Sequence, residues 1–412
     1  MTETRVERHG DAERLIALLS GCASALETLA EADWQRIVAL AQEHSVAPML
    51  YARLQALGVT LPAATAQPLR KFYLANVMRN TKLFHEVGKI LRALQAAGIP
   101  VIPLKGVCLA EAVYGNLALR QIGDVDLLVP PANLATALEV LRTLGYAAAQ
   151  PFDIEGQRQV CHHMPPLSRR GGATLELHWT IAKRGSNIRL EDTDLDQLWS
   201  RAIPSRIDGV QILMLSPTDL LLHLCLHASV HHYFDGIGLS GFWDMALVIR
   251  RYGEQIDWEQ FTTRAHQWGV ANGAYLALQL TQEWTGVVIP TPVMRSLMPA
   301  TLNDAAIEWV RHKILDGISP ALQNSDVARL GKARIADKVA ALRDTLFPPR
   351  HVMASMYHAP ADSWRILCYY PVRFKDLWMR YGQVVWRLLR RDKTLTTEAR
   401  QEAHLRDYLG SR

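Results

Sequence analysis

The chain has 412 residues, of which 49% are hydrophobic and 21% are charged, and its formal net charge is +5. This composition is typical of a globular protein and excludes an intrinsically disordered one, while the length predicts two or three domains. No apolar run approaches the roughly 18 residues of a membrane span, and the first residues lack the apolar core of a signal peptide. The five cysteines have no metal-site spacing, which predicts reduced thiols in a cytoplasmic protein.

Helical periodicity dominates the first 98 residues. Apolar residues recur at spacings of three and four, and a long helix is predicted from about Leu69 to Ala97. Gly98 follows as a natural C-terminal cap. Arg79, Asn80 and Lys82 on this helix are either ordinary solvated residues or part of the lining of a nucleotide pocket.

One stretch combines strand and helix signals with a pair of acids. The apolar run Ile99–Leu104 predicts a short buried strand, which breaks at Lys105-Gly106. The residues Val107–Tyr114 predict a helix, and Asp124–Val129 predicts a second strand. The chain therefore passes from strand to helix to strand around this pair.

Asp124 and Asp126 are two residues apart on the second strand, so they project from the same side. Two neighbouring carboxylates repel each other unless a cation lies between them, and such oxygen ligands suit Mg²⁺. The Gly106 amide, at the start of a helix, can approach a phosphate, while Lys105 and Arg120 supply compensating charge. The alternative is that the two aspartates are solvated turn residues that open a strand.

A hairpin is predicted downstream of the acidic pair. Arg158–Leu167 is a strand-like run, and Ala173–Trp179 (ATLELHW) returns after a basic turn that contains glycine. Glu176 is the only acid on the returning strand, and its neighbours are leucines. His178, two residues further on, shares the face of Glu176.

A row of histidines follows on a later helix, which Ser216 is predicted to cap. His223, His227 and His231 occur at four-residue intervals and so lie on one helical face. Histidines at this spacing can share one metal ion. The helix is leucine-rich and has no partnering glutamate, which favours histidines that are buried or line a cleft. Asp244 is a candidate partner for the row.

The C-terminal part of the chain is basic and aromatic. Residues 364–391 contain seven Arg or Lys against one acid, and tryptophans are interleaved with them: Trp364, Trp378 and Trp386. In one interpretation these tryptophans are core residues of terminal helices whose basic face is solvated. In the other, the segment docks an anionic partner, which is a membrane surface, an RNA or an acidic peptide.

The segments LKGVCLAEAVYG and LALRQIGDVDLLV are similar to a bacterial family of uncharacterised nucleotidyltransferases. A strand, a glycine at a helix start and a DxD strand further on resemble the core of the DNA polymerase beta nucleotidyltransferase superfamily. The resemblance extends from about Asp33 to Phe347. The Lys105-Gly106 turn departs from the Gly-Ser that is usual in the superfamily.

The resemblance implies which carboxylates would bind the metal ions. Asp124 and Asp126 would bridge two Mg²⁺ ions, which lie about 4 Å apart in sites that stabilise both the attacking and the leaving oxygen. The superfamily takes a third carboxylate from a neighbouring strand. Glu176 fits that position, as opposed to being a surface acid of an edge strand, and would hold the ion that activates the acceptor hydroxyl.

The resemblance also implies the reaction, in which an enzyme moves a nucleoside monophosphate from an NTP to a hydroxyl and releases pyrophosphate. ATP is the default donor. Lys105, the Gly106 amide and Arg120 would neutralise the phosphates. His178 either orients Glu176, contacts the substrate or is a packed, hydrogen-bonded histidine. The acceptor is a small molecule or a peptide. The alternatives are a protein-AMPylating component of a toxin–antitoxin system and a non-catalytic nucleotide-binding regulator.

The predicted fold class is α+β, with a small mixed β-sheet nucleotidyltransferase core embedded in a mostly helical chain. The predicted division places an N-terminal helical region at 1–98 and the nucleotidyltransferase core at 99–215. A helical domain follows at 216–346, and the basic, aromatic C-terminal helices occupy 347–412.

Overall fold

The computed structural model describes residues 3–22, 29–182, 188–299, 304–317, 343, 345–357, 363–390 and 392–410. The first helices, in chain order, are α1 (Glu3–Ser20), α2 (Glu31–Glu43), α3 (Ala47–Ala56), α4 (Ala63–Ala96), α5 (Lys105–Ala112), α6 (Leu134–Thr143), α7 (Ile154–Val160) and α8 (Asp192–Ser200). The later helices are α9 (Pro217–Leu226), α10 (Gly238–Tyr252), α11 (Trp258–Gln267), α12 (Ala271–Thr285), α13 (Thr291–Leu297), α14 (Asp304–Leu315), α15 (Arg350–Tyr357), α16 (Tyr369–Leu389) and α17 (Lys393–Gly410). Among the described residues, no helix combines the length and the apolar composition needed to cross a membrane.

The strands are β1 (Ile102–Leu104), β2 (Val125–Leu128), β3 (Ala147–Ala148), β4 (Leu167–Ser168), β5 (Leu175–His178), β6 (Ile203–Ile207) and β7 (Val210–Met214). The larger sheet has the order β1-β2-β5-β4-β3, in which β2 and β5 are parallel and the other neighbours are antiparallel. The strands β6 and β7 form a separate antiparallel hairpin. A small mixed sheet within a mostly helical chain confirms the predicted fold class.

Helix α4 packs against the sheet, and a short turn after it leads into β1. Gly98 adopts a φ of +71°, the left-handed conformation that glycine tolerates best. The Gly98 amide donates to the Gln95 carbonyl at 2.9 Å, and the Ile99 amide donates to the Leu94 carbonyl at 3.0 Å. This pair of hydrogen bonds is a Schellman cap. It confirms the predicted cap at Gly98 and turns the chain back toward the sheet.

Strand β2 separates two hydrophobic cores. Val125 and Leu127 belong to the core between the sheet, α4 and α6, whereas Leu128 belongs to the core of the helical part. Side chains alternate along a strand, so Asp126 shares the face of Leu128. Asp126 therefore lies where the sheet meets the helices.

The helical core joins elements from distant parts of the sequence. Helices α1 to α3 pack in one cluster with α9 to α14 and with α17. A buried ion pair fixes α17, because the Lys313 ammonium on α14 donates to Glu402 Oε2 at 2.9 Å. The Trp309 indole donates to the same oxygen at 3.3 Å. The four-part division of the sequence stays a prediction.

The C-terminal segment contains one buried helix and one exposed helix. Helix α17 contributes Leu395 and Leu405 to the helical core, whereas the three tryptophans of residues 364–391 are exposed: Trp364, Trp378 and Trp386. The interpretation of these tryptophans as core residues is therefore wrong. Helix α14 confirms the start of the helical pattern predicted for residues 304–346, of which 318–342 and 344 lie outside the described residues.

The strand predicted for Arg158–Leu167 is wrong over its first part. Helix α7 occupies Ile154–Val160, and the Asp153 side chain caps it by accepting a hydrogen bond from the Gly156 amide at 2.6 Å. After α7 the predicted strand does pair with β5: His163 forms an antiparallel bridge with His178, the Met164 amide donates to the Leu177 carbonyl at 2.8 Å, and Leu167 lies opposite Leu175. The predicted hairpin therefore forms, with a first strand that is shorter and interrupted.

We expect Glu402→Ala to destabilise the protein by about 3–5 kcal/mol, because it leaves the Lys313 ammonium buried without its counter-ion. Urea denaturation followed by circular dichroism measures this loss. As a control, Glu139→Ala removes an exposed pair with Arg142 and should leave the denaturation midpoint unchanged. Equal stabilities of the two variants would contradict the role of the buried pair.

Candidate active site

The centre of the site is built by two parallel strands in register. Asp126 on β2 lies opposite Glu176 on β5, and His178 follows two residues after Glu176 on the same face. His178 Nε2 donates to Asp126 Oδ1 at 3.0 Å and lies 3.6 Å from Glu176 Oε2. One ligand atom from each of the three residues lies within 4.8 Å of the others. This trio could hold a divalent cation.

Asp124 stands beside the trio rather than within it. The strand begins at Val125, so Asp124 precedes it and is more exposed than Asp126, which is buried. Partial burial and the neighbouring charge of Asp126 raise the pKa of Asp124, and Glu176 adds to this effect. The raised pKa reflects an excess of negative charge, which is the condition that favours a bound cation.

Lys105 provides one positive charge to the centre. Its ammonium donates to Asp126 Oδ1 at 3.0 Å. Burial alone would raise the pKa of Asp126, but Lys105 and then His178 outweigh it and hold that pKa well below its usual range. Burial acts to lower the pKa of His178, whereas its bonds to Asp126 and Glu176 raise it. The Lys105 ammonium and the hydrogen bond from His178 thus compensate the buried carboxylate.

The turn between β1 and α5 places Lys105 and Gly106. Lys105 is the first residue of α5 and has a φ of +50°, a conformation that costs a non-glycine residue about 1–2 kcal/mol. A Cβ on Gly106 would lie 3.3 Å from Ile122 Cγ2, which is closer than ordinary contact. Glycine therefore lets the first turn of α5 pack against the loop that precedes β2.

Arg120 is committed to an ion pair across the cleft. Its Nε donates to Asp244 Oδ1 at 2.9 Å, and its Nη2 donates to Asp244 Oδ2 at 2.8 Å. The Tyr114 hydroxyl donates to Asp244 Oδ1 at 2.7 Å. Asp244 on α10 thus meets Arg120 and Tyr114. The sequence had suggested the histidine row as its partner.

Buried asparagines of α4 fix the loop that leads to Asp124. Asn76 Nδ2 donates to the Ala118 carbonyl at 2.7 Å, and Asn80 Nδ2 donates to the Arg120 carbonyl at 2.8 Å. Arg79 donates to the Ile122 carbonyl and lines the cleft. Asn80 is therefore not a solvated residue. It is part of the support of the site.

The cleft consists of two adjoining cavities. The carboxylate cavity has a volume of about 380 Å³ and contains Gly106, Asp124 and Glu176. The second cavity has a volume of about 290 Å³ and contains Arg79 and Asp244. Six residues line both: Lys105, Arg120, Ile122, Gly123, His227 and His232. The cavities therefore meet at Lys105, beside the start of α5.

Five histidines form one wall of the carboxylate cavity: His162, His163, His227, His231 and His232. His227 and His232 are hydrogen-bonded through their Nε2 atoms at 3.1 Å, and the His162 and His231 rings are 4.6 Å apart between centroids. Burial lowers the pKa of His227 and His231 well below the usual range, and the charge of Lys105 or other histidines adds to this effect. His227 and His231 therefore contribute polar but neutral imidazoles to this wall.

The histidine row matches the cleft-lining interpretation. Helix α9 ends at Leu226 and continues as a π-helical turn over His227–His231. His223 is buried, while His227 and His231 face the cavity. Sequence analysis missed His162 and His163, whose only signal is a doublet shortly before the ATLELHW strand.

The comparison with protein families agrees with this geometry. Residues 30–286 match the family described as uncharacterised nucleotidyltransferase. The chain belongs to this family. It is therefore a nucleotidyltransferase, and the matched range includes β1 to β7 and the helices that line the cleft.

One solved structure similar to this nucleotidyltransferase is the solution structure of the antibiotic-resistance factor ANT(2'')-Ia. The two chains are 15% identical, and the match covers 50% of this chain and 98% of that one, with a TM-score of 0.32. A likeness at this level carries no weight for function. A search of curated proteins gives no match to the chain.

We expect the nucleotidyltransferase to lose stability as the pH falls below about 6.5, because buried histidines resist protonation. Burial lowers the pKa of His44 to about 4 and that of His223 to about 3. The unfolded chain takes up protons at higher pH than the folded chain does. Each such histidine therefore removes about 1 kcal/mol per pH unit below its unfolded pKa.

Urea denaturation at about pH 7.5 and about pH 5.5 checks this expectation. His223→Leu should lose less stability between the two pH values than the unaltered protein does. The matched control His85→Gln changes an exposed histidine and should behave as the unaltered protein. An identical pH response of His223→Leu and the control would contradict it.

Proposed function

We propose that this nucleotidyltransferase moves a nucleoside monophosphate, AMP by default, from an Mg²⁺-bound NTP to an acceptor hydroxyl, with release of pyrophosphate. One observation carries the proposal: Asp126 and Glu176 lie in register on parallel strands, next to Lys105 at the start of a helix. Membership of the family supports the reaction class. The donor, the metal and the acceptor are our assignments.

The residues present fit a divalent cation. Asp126 and Glu176 offer oxygens from adjacent strands, and Asp124, with its raised pKa, stands beside them. We assign these three carboxylates as the ligands of Mg²⁺, which prefers oxygen donors and near-octahedral geometry. When bound, Mg²⁺ neutralises the charge on the oxygens of the transferring phosphoryl group.

Lys105 and Gly106 are assigned to the phosphates. The Gly106 amide lies in the first turn of α5, where free N–H groups and the helix dipole favour an anion. Lys105 lines both cavities, and its ammonium donates a hydrogen bond to Asp126. The ammonium can therefore move from this carboxylate to a phosphate without leaving the cleft. Arg120 lines both cavities, and Asp244 holds it in place.

Glu176 and His178 are assigned to the acceptor side. Glu176 is less buried than Asp126 and faces the carboxylate cavity. His178 beside it lowers the pKa of Glu176 and so keeps it ionised. An ionised Glu176 would hold the Mg²⁺ ion on which the acceptor hydroxyl is activated, apart from the phosphates of the donor.

The lining of the cleft favours a neutral acceptor. Apart from Asp124 and Glu176, the acid among the described residues that line the two cavities is Asp244, which Arg120 already neutralises. A polycationic acceptor would therefore find no free carboxylate once the metal ligands are engaged. Neutral imidazoles suit hydroxyl groups, because each ring offers one donor and one acceptor. We assign the acceptor as a hydroxyl of a small molecule or of a peptide.

An isotope experiment tests the reaction. The protein is incubated with Mg²⁺, size-fractionated cell extract and ATP that is labelled either in the α-phosphate or in the γ-phosphate. We expect the α-label on an acceptor and the γ-label in pyrophosphate. The γ-label on an acceptor would indicate a kinase and would contradict the proposal.

We expect Asp126→Asn to weaken the binding of Mg²⁺·ATP by about ten-fold or more, since it removes a central ligand. Calorimetric titration with Mg²⁺·ATP measures the affinity, and circular dichroism checks the fold. The control Glu139→Gln changes an exposed acid on α6 and should bind normally. Unchanged affinity of Asp126→Asn would remove this residue from the site.

We expect Glu176→Gln to reduce kcat by about 100-fold or more while the affinity for Mg²⁺·ATP changes little, because its interaction is made mainly in the transition state. Pyrophosphate release, measured beside the calorimetric affinity, separates these effects. Normal turnover would return Glu176 to the role of a surface acid.

A further inference from the structure

Helix α16 presents an apolar side to solvent. We define its exposed aromatic face by five side chains: Val372, Phe374, Trp378, Met379 and Trp386. Residues 372, 379 and 386 are seven apart and form one row, whereas 374 and 378 are four apart and form a second row, so the five together occupy about half of the helix circumference. Trp378 is 58% exposed and Met379 is 72% exposed. The face therefore has no partner in the described part of the chain.

The opposite side of α16 anchors the helix to the protein. Arg373 is buried, and its Nε donates to the Thr345 carbonyl at 2.7 Å. The Tyr370 hydroxyl donates to the Pro348 carbonyl at 2.8 Å. The helix is therefore oriented by its polar contacts, and its aromatic side points outward as a result.

Exposed apolar groups are concentrated in this segment. Fourteen large apolar side chains are exposed among the described residues, and nine of them lie between Phe347 and Trp386. Trp364, just before α16, is 70% exposed. Scattered exposed apolar residues are normal, but a concentration of them marks a binding surface.

Positive charge accompanies the exposed aromatic face. Lys375 lies within the face, Arg365 precedes it and Arg390 follows it, and all three are exposed. The Arg390 guanidinium lies 4.8 Å from the centroid of the Trp386 ring. The acid Asp376 accepts a hydrogen bond from the Tyr357 hydroxyl at 3.1 Å. The surface is thus apolar in its centre and basic along its length.

We propose that the exposed aromatic face docks this nucleotidyltransferase on an anionic lipid bilayer, with α16 lying in the plane of the interface. Aromatic and aliphatic side chains with basic neighbours are the composition of interfacial helices. Tryptophan favours the headgroup level, and each Lys or Arg gains from anionic lipid. Helix α16 lies on the membrane and does not cross it, in keeping with the absence of a spanning helix among the described residues.

The aliphatic members of the face favour lipid over RNA. Nucleic acid surfaces combine aromatic side chains, which stack on bases, with cations that follow the phosphates. Val372 and Met379 offer neither stacking nor charge, yet Met379 is among the most exposed residues of the segment. Their burial in the acyl region supplies a gain that RNA cannot give.

The experiment is vesicle flotation of the full chain. Vesicles of neutral phosphatidylcholine are compared with vesicles that contain about one quarter phosphatidylglycerol, at about 50 mM and about 500 mM NaCl. We expect at least about ten-fold more protein on the anionic vesicles at low salt, with a blue shift of tryptophan fluorescence. High salt should weaken the binding without abolishing the apolar contribution.

Point variants at exposed positions keep the fold intact and identify the face. Phe374→Ser/Trp378→Ser should lower vesicle binding by about ten-fold or more, and Lys375→Glu should lower it mainly on anionic vesicles. The matched control is Met78→Ser/Val288→Ser, which changes side chains that are 74% and 81% exposed elsewhere. This control should bind as the unaltered protein does.

Several outcomes would overturn the proposal. The first is that the unaltered protein does not bind anionic vesicles at low salt. The second is that Phe374→Ser/Trp378→Ser and its control lose vesicle binding equally. Tighter binding to a single-stranded RNA than to vesicles would assign the face to nucleic acid. A dimer that only Phe374→Ser/Trp378→Ser dissociates, seen by analytical ultracentrifugation, would assign it to a second copy of the chain.

Discussion

The structure depends on how one buried carboxylate is compensated. Asp126 lies on the face of β2 that meets the helical part, where an isolated negative charge would be strongly unfavourable. Lys105, which follows β1, and His178, the last residue of β5, both contact it. Glu176 on β5 lies opposite it in the ladder. The strained conformation of Lys105 and the close contact of Gly106 with Ile122 serve this one arrangement. The chain accepts local strain because the geometry of the charged centre requires it.

Local sequence signals predicted the parts of the site that lie on strands. Alternation along two short strands is enough to place Asp126, Glu176 and His178 on one side, and the resemblance to nucleotidyltransferases supplied their pairing. Asp124 was placed on the strand by the same alternation, but the ladder begins one residue later. The ion pair of Arg120 with Asp244 spans 124 residues, and no local periodicity encodes such a contact. The same holds for His162, which reaches His231 only through the tertiary fold.

The C-terminal segment shows a second limit of sequence patterns. Helix α16 is far richer in aromatic residues than α17, yet Leu395 on α17 is buried and Trp378 on α16 is exposed. An apolar stripe indicates that one side of a helix is favoured to be buried, but it does not indicate which partner covers that side. For α17, the buried ion pair of Lys313 and Glu402 holds the helix against α14. Helix α16 is instead fixed through Arg373, on its polar side.

The shared helical core also constrains synthesis on the ribosome. Helix α1 packs in the same cluster as α17, so elements from opposite ends of the described chain complete one interior. The sheet core draws on residues from Leu83 to Met214 and can close as soon as those residues have emerged. The wall of the cleft formed by α9 and α10 belongs to the other core, to which α14 and α17 also contribute. During translation one face of the sheet can therefore be covered while the other face, which carries Asp126 and Leu128, still lacks helices that complete its core.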